Sequence, residues 1–520
     1  MRRLLCCTLL PLVALGLAAA DWPQFLGPTG DNVSTETGLI NTFGKDGPPS
    51  VFSKRIGTGY AAPSVRGDKL VLFHRLNRDH QILEGDTVPG LVAYYNEELA
   101  ALGVKERLTP ESLMQANKPE LNSRRGMLKL PAAVSRHLDV EVVDALDART
   151  GKVLWRTTYP TAYEDPYGFN NGPRCAPLLT ADRCYTLGAE GALLCLDLNT
   201  GKQIWRRDTH KDWQVPVAFF GVGSTPALEE DRLIVMLGGQ PNSGVVALDA
   251  KTGKTLWQAV GKDTWDKEPM LGYPGEPLME WNEEEKQASY ASPVLATVHG
   301  RRVVFCLMRQ GLVALDPKTG KVLFKRWFRA RQNETVNASN PVVIDNHVFC
   351  SGAYYGLGSI LLKIKPDLSG YDEVWSTAKT RVEQNNPRLP ETLGLHWMTP
   401  IYHEGNLYAY SGRNEPDARF RCVEFKTGKL LWDQDESWNR FDEDKKKYGR
   451  GSLIMADGKL IALGETGRLG LFTPDVKKPM ELAAYNVPGL LFPCWAAPVL
   501  SNKRVYLRCE SRLVCLNFAK

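Results

Sequence analysis

Val143-Asp144-Ala145-Leu146-Asp147-Ala148-Arg149-Thr150-Gly151-Lys152-Val153-Leu154-Trp155 decides the fold, because it recurs. Leu194–Trp205 repeats it around Asp197, Thr200, Gly201 and Lys202, and Val246–Trp257 repeats it around Asp249, Thr252, Gly253 and Lys254. A fourth copy runs from Val313 to Phe324, with phenylalanine in place of tryptophan. Cys422–Trp432 keeps Thr427-Gly428-Lys429 but carries Glu424 and Phe425 in the preceding positions, and Ile360–Trp375 is a degenerate copy with a longer turn. In each copy, alternating apolar residues make a strand with one buried face. The aspartate caps a tight turn, and glycine supplies its left-handed backbone angle. The lysine opens the next strand at the surface. The aromatic then docks against a neighbouring sheet, burying roughly 150–250 Å². We therefore read Trp155, Trp205, Trp257 and Trp432 as structural docking residues.

A second landmark, a small residue followed by proline, opens a strand ahead of each copy. It occurs at Ala62-Pro63, Ala176-Pro177, Thr225-Pro226, Ser292-Pro293, Asn340-Pro341, Thr399-Pro400 and Ala497-Pro498, with Ser452-Leu453 filling the one gap. Without insertions the landmarks lie about 50 residues apart, room for four short strands, and radial closure of such units is a propeller. The chain is thus expected to be all-β, an eight-bladed β-propeller of four-stranded blades. The last unit stops at its third strand, Arg512–Asn517, and the strand at about 51–55 has no unit of its own. That strand is expected to close the ring. A partly helical insertion interrupts the first blade at about 78–138. There, Thr109-Pro110-Glu111 is a helix start with a cap, a first-turn proline and an acid, and Ala93–Leu108 has helical spacing. A smaller insertion spans about 260–289.

Residues 1–20 read as a signal peptide. Arg2 and Arg3 precede a mostly apolar run, which ends in Ala18-Ala19-Ala20 before Asp21. Residues 21–520 form the propeller, and the expected location is the periplasm or outside the cell. Without Arg2 and Arg3 the formal net charge falls from +5 to +3, too balanced for a dedicated nucleic-acid binder. No membrane span is expected after signal removal. Removing Cys6 and Cys7 leaves nine of the 11 cysteines. None of the nine shows CxxC spacing, which speaks against a zinc knuckle. Cys184 and Cys195 would oppose each other in a hairpin closing at Ala189-Glu190, and Cys509 and Cys515 in another. Buried free thiols fit strand interiors equally well. The eight histidines show no HExxH spacing, and no Gly-x-Ser-x-Gly elbow or Walker loop occurs. No metal site is assigned.

The repeat resembles the tryptophan-docking repeat of the pyrroloquinoline quinone (PQQ) propellers, in the quinoprotein alcohol dehydrogenase-like superfamily. Asp21-Trp22-Pro23-Gln24-Phe25 with Gly27-Pro28 is similar to the N-terminus of PQQ-like repeat proteins of bacteria. The resemblance covers nearly all of residues 21–520 and implies one of two activities. In a BamB-like branch the propeller carries no cofactor and binds protein or other envelope components as a scaffold. In the alternative it holds PQQ and calcium and oxidises alcohols or polyvinyl alcohol. Many such enzymes stack the quinone on a disulfide between adjacent cysteines, and the only adjacent pair here is Cys6-Cys7. The cofactor-free scaffold is the reading we carry forward.

Repeat geometry also locates a site. Residues just before the inner strands converge on one mouth of the channel: Tyr60, Asn171, Arg174, Phe220, Tyr290, Asn337, His396, Trp397, Arg450 and Trp495. Trp397 or Trp495 would stack on a flat ring, including a saccharide. Arg174 and Arg450 would clamp carboxylates, and His396 would transfer a proton. The plainer reading is that these side chains plug the channel or bond to turn backbone.

Overall fold

The structure, a computed structural model, describes residues 21–520 except 78, 82–85, 118–126, 217–219, 266–288, 331–334, 379–391 and 440–446. The expected signal peptide, part of the first insertion and most of the second therefore lie outside the described residues.

Eight four-stranded antiparallel sheets follow one another as blades 1 to 8. Blade 1 runs through Ser64–Arg66, Lys69–Leu76, Val140–Asp147 and Val153–Pro160. In blade 8, Val499–Ser501, Arg504–Arg508 and Arg512–Asn517 are completed by Ser50–Arg55, which pairs antiparallel with the third strand, Phe52 opposite Cys515. The ring is thus closed by strands far apart in sequence. Radial closure turns the short inner edge strand of each blade toward the channel, where another chain is poorly placed to extend it.

The core lies between blades, because each sheet has two apolar faces to cover. Leu178, Tyr185, Leu193 and Cys195 of blade 2 pack on Leu233, Val235, Val246 and Leu248 of blade 3. The repeat turn supplies the outer fastening. Asp197 Oδ1 accepts from the backbone N–H groups of Asn199 (3.0 Å) and Thr200 (2.8 Å) and from the Thr200 hydroxyl (2.8 Å). The tryptophan of the preceding blade lies over this turn. Trp155 Nε1 donates to Leu198 O at 2.9 Å, and a Cβ on Gly201 would sit 2.4 Å from the indole. Gly201, at φ +73°, is required twice over: for the turn and for the approach of the ring.

Register excludes the two cysteine pairings considered above. Gly188 to Gly191 make the hairpin turn one residue longer than a closure at Ala189-Glu190 allows. Cys184 therefore faces Leu196, and Cys195 faces Tyr185. A slip of one residue puts the two sulfurs on opposite faces of the sheet. Cys515 faces Tyr506, while Cys509 lies beyond the last pair of that hairpin, Arg508 with Leu513. All nine described cysteines are buried free thiols.

The blade 1 insertion carries helices Val88–Ala101 and Pro110–Ala116. Thr109 caps the second and Pro110 stands in its first turn. The helical spacing read over Ala93–Leu108 is cut short at Ala101, because Gly103 turns left-handed at φ +74° and the chain leaves the helix axis. No described helix is long and apolar enough to cross a membrane.

Ion pairs fasten this insertion to its blade. Arg156, on the outer strand, donates to Asp144 through Nε and Nη2, both at 2.7 Å, and to helical Glu98 at 2.5 Å. His74 Nε2 lies 3.1 Å from the same Asp144 carboxylate. Burial would raise the Asp144 pKa, but hydrogen bonds from Arg156 and His74 outweigh it and hold the carboxyl at about 2. A depressed carboxyl stabilises the fold above its unfolded pKa and loses that contribution as pH falls through the folded value. Stability of roughly 2 kcal/mol should therefore drain away between about pH 4 and 2. Urea midpoints measured across that interval should fall in the native chain. In Asp144→Asn, already weaker at pH 7, they should lack this component.

Candidate functional site at the channel mouth

In an antiparallel four-stranded blade, the connections into the first strand and between the second and third emerge on the same face. The turns with the Thr-Gly-Lys motif emerge on the other. The mouth is therefore built from two sets of connections, and the sequence reading used only one.

The first set brings most of the expected residues together. Trp397 and Trp495 meet with ring centroids 4.9 Å apart, and Tyr60 also lies 4.9 Å from Trp495. His396 follows Trp397 at 4.4 Å. Phe220 touches Tyr290 (5.6 Å) and Phe169 (5.7 Å). The Arg450 guanidinium stands 4.7 Å over the Trp397 ring, and that of Arg174 5.6 Å over Tyr60. Two residues sit apart. Asn337 is buried and spends its amide on Met308 O (2.9 Å) and Phe328 O (3.0 Å), so it locks turn backbone. Asn171 accepts from Asp165 N at 2.7 Å and likewise shapes its own loop.

The second set supplies the acids, which the sequence reading missed. Glu465, in the connection between the second and third strands of blade 7, is the hub. Its carboxylate accepts from Arg450 N (2.8 Å), Arg450 Nη2 (2.8 Å), Trp495 Nε1 (2.8 Å) and Trp438 Nε1 (3.1 Å). Glu415, from the same connection in blade 6, holds Arg450 Nη2 at 3.0 Å. Glu510, from blade 8, accepts from the Tyr60 hydroxyl at 2.8 Å and from the Asn170 amide. Arg174 is held at 2.9 Å by Asp165, an acid of its own connection and so of the first set.

These partners determine what the mouth can do. Arg450 and Arg174 are already committed to carboxylates. Burial, reinforced by Arg450 and Arg413, holds His396 well below its ordinary pKa, so it stands neutral at neutral pH. Burial raises the Glu510 pKa despite its bonds from Asn170 and Tyr60. At the edge of this packed layer, Tyr167 and Phe169 are each 49 % exposed and rest on Phe220. A cavity of about 580 Å³ lies off the axis, beside Tyr159, Tyr163, Glu190, Arg206 and Lys211 at the ends of blades 1 and 2. Among the described residues no three His, Cys, Asp or Glu side chains gather as a metal ion would require.

Blade count, strand order and the docked Trp–Gly turn define the chain as an eight-bladed β-propeller of four-stranded blades. Residues 139–386 match the family model described as outer membrane protein assembly factor BamB. A polyvinylalcohol dehydrogenase of a Pseudomonas species is 30% identical over 183 residues, 35% of this chain and 26% of that protein. The assembly factor BamB of Burkholderia pseudomallei is 28% identical over 116 residues, 22% of this chain and 26% of that protein. The chain thus spans about a quarter of the length of these relatives. The crystal structure of the quinohemoprotein alcohol dehydrogenase of Comamonas testosteroni superimposes with a TM-score of 0.57 at 13% identity. That match covers 98% of this chain and 82% of the other, and it is a likeness of fold.

Proposed function

We propose that the chain is an exported binding or assembly propeller of the cell envelope, which holds a protein or other envelope component on its mouth face and uses no cofactor. The observation that carries this reading is the state of the mouth. Its aromatics stack on one another and its arginines are neutralised from within, while Tyr167 and Phe169 face outward at its edge. Partly exposed aromatic side chains of this kind are favoured anchors in protein interfaces. The blade 1 insertion emerges on the same face and widens it.

The described mouth residues do not fit a quinone with calcium. A planar ring between Trp397 and Trp495 needs about 7 Å, two van der Waals contacts, and the rings stand 4.9 Å apart and 44° from parallel. Calcium takes several oxygen ligands, and the neighbouring Glu415 and Glu465 carboxylates already enclose Arg450.

The test is calorimetric titration of the purified protein with PQQ and calcium, beside a dye-linked oxidation assay on alcohols and polyvinyl alcohol. No heat and no oxidation are expected. Micromolar binding that disappears in Trp397→Ala would overturn the scaffold reading in favour of the dehydrogenase. A photo-reactive residue at position 169 should cross-link to an envelope component, and one at position 202, on the opposite face, should not. Adducts at 202 and none at 169 would place the partner elsewhere.

A further inference from the structure

Beside the mouth stands a guanidinium that its network of acids leaves alone. Arg413 lies in the connection between the second and third strands of blade 6, Asn406–Ser411 and Arg419–Glu424. Its carbonyl accepts from Arg450 Nη1 at 2.6 Å, which fixes this loop to the mouth. Its side chain turns to the neighbouring blade. The guanidinium carbon is 4.4 Å from the centre of the Tyr354 ring and 4.8 Å from that of Tyr355. Both tyrosines come from the corresponding connection of blade 5, between His347–Gly352 and Gly358–Ile364. Tyr354 is buried and meets His396 edge to face with centroids 5.2 Å apart, so this corner is continuous with the aromatic layer. Tyr355 and Arg413 are half-buried.

The corner lacks an acid. Arg450 is enclosed by Glu415 and Glu465, and Arg174 is held by Asp165. Among the described residues no carboxylate stands within ion-pairing distance of Arg413, and its guanidinium N–H groups donate to no protein acceptor. Glu415, two residues on, bonds Arg450, and the Asp417 carboxylate takes the Asn414 amide at 3.4 Å. A guanidinium resting on rings keeps its in-plane N–H groups, the donors that a carboxylate engages in pairs. The backbone is bent to produce this arrangement. Tyr355 holds a left-handed φ of +51°, which a residue with a bulky side chain rarely adopts. Strain of that kind gathers at binding sites.

We propose that Arg413 receives an aspartate or glutamate of a protein segment that lies across the mouth face. The proposal rests on the scaffold reading and adds the partner's chemistry, an acidic side chain with apolar neighbours. The carboxylate supplies the counter-charge that Arg413 lacks. The apolar neighbours cover Tyr355 and the exposed rings of Tyr167 and Phe169 at the edge of the mouth. Arginine and tyrosine are the side chains on which protein interfaces most often anchor.

A random peptide display library would be panned in parallel on the purified native protein, Arg413→Gln, Arg413→Lys and Lys202→Gln, and the retained pools sequenced. Asp and Glu should be enriched on the native protein and on Lys202→Gln, whose change lies on the opposite face, and not on Arg413→Gln. Arg413→Lys should keep part of the enrichment, because it keeps the charge without the paired donors. In calorimetry, a peptide selected on the native protein should bind Arg413→Gln about tenfold more weakly, the loss expected for a charge-assisted hydrogen-bonded pair. Changing the acid of that peptide to its amide should weaken binding as much, and the two changes together should weaken it no further. The peptide change is read on the native chain, so it tests the pair even where a variant misfolds. Peptides retained without acidic preference would overturn this inference and leave the scaffold reading standing. A library from which nothing is retained would overturn both.

Discussion

Replacing Glu465 with alanine should lower the unfolding free energy by about 3–5 kcal/mol, the range for removing one partner of a buried ion pair. The side chain has no exposed surface, and four donors converge on it from two connections: Arg450 through its backbone and guanidinium and Trp438 from one, Trp495 from the other. Alanine leaves all of them in place without their acceptor. The guanidinium is then a buried charge with Glu415 as its one remaining carboxylate, and each indole N–H loses a bond. Urea unfolding followed by tryptophan fluorescence reads this directly, as a lower midpoint at unchanged slope. Glu465→Gln, which keeps the shape and one acceptor oxygen, should lose clearly less. In Arg450→Leu with Glu465→Leu, both charges are gone, and much of the loss should return. If the double variant is as weak as Glu465→Ala alone, the ion pair is not what holds the mouth together.

Trp205→Ala should cost a similar amount, about 3–5 kcal/mol, for a different reason. The indole lies buried between blades 2 and 3, donates from Nε1 to Ala250 O at 3.1 Å and covers Gly253. Truncation opens a cavity at a seam where no strand ladder joins the blades. Trp205→Phe keeps most of the packing and gives up one hydrogen bond, so it should cost about 1 kcal/mol beyond the lost ring volume. Blade 4 already carries Phe324 at this position. The reciprocal change, Gly253→Ala, meets two obstacles. Its φ is +70°, and the new Cβ would lie 2.8 Å from the indole. The left-handed backbone alone costs roughly 1–2 kcal/mol. Denaturation midpoints of the three variants should rank Trp205→Ala the weakest. Parity between Trp205→Ala and wild type would mean the seam is held elsewhere.

The eight-bladed architecture was legible because it is written repeatedly, in six copies of the turn motif and eight strand-opening landmarks. One copy of the Asp147–Trp155 pattern is a turn followed by a strand, but its recurrence is a closed ring. The mouth was legible only by half. Its arginines and aromatics follow a visible landmark, the small residue and proline that open each inner strand. Its acids follow a subtler one. Ala189-Glu190-Gly191, Arg309-Gln310-Gly311, Gly464-Glu465-Thr466-Gly467 and Cys509-Glu510-Ser511 occupy the same place in blades 2, 4, 7 and 8. An acid or its amide thus recurs after the second strand, and register could have found it. Sequence could not have told that Glu465 rather than a ligand would take up Arg450, because that depends on how adjacent blades are set against each other. The cysteine pairings failed for a smaller reason. One extra turn residue at Gly188–Gly191 moves every side chain beyond it to the other face.

The pairing of Ser50–Arg55 with Arg512–Asn517 sets a timetable as well as a shape. A chain that emerges in order from a ribosome or translocation pore offers the first of these strands long before its partner exists. Blades 1 to 7 can form on local contacts, each joining its predecessor. The latch cannot, because its contacts join strands from opposite ends of the sequence, and such contacts are the slowest to form. Until the final strand arrives, Ser50–Arg55 remains an unpaired edge on an otherwise finished arc, open to the wrong neighbour. The hazardous interval in the life of this protein is therefore the moment just before the circle shuts.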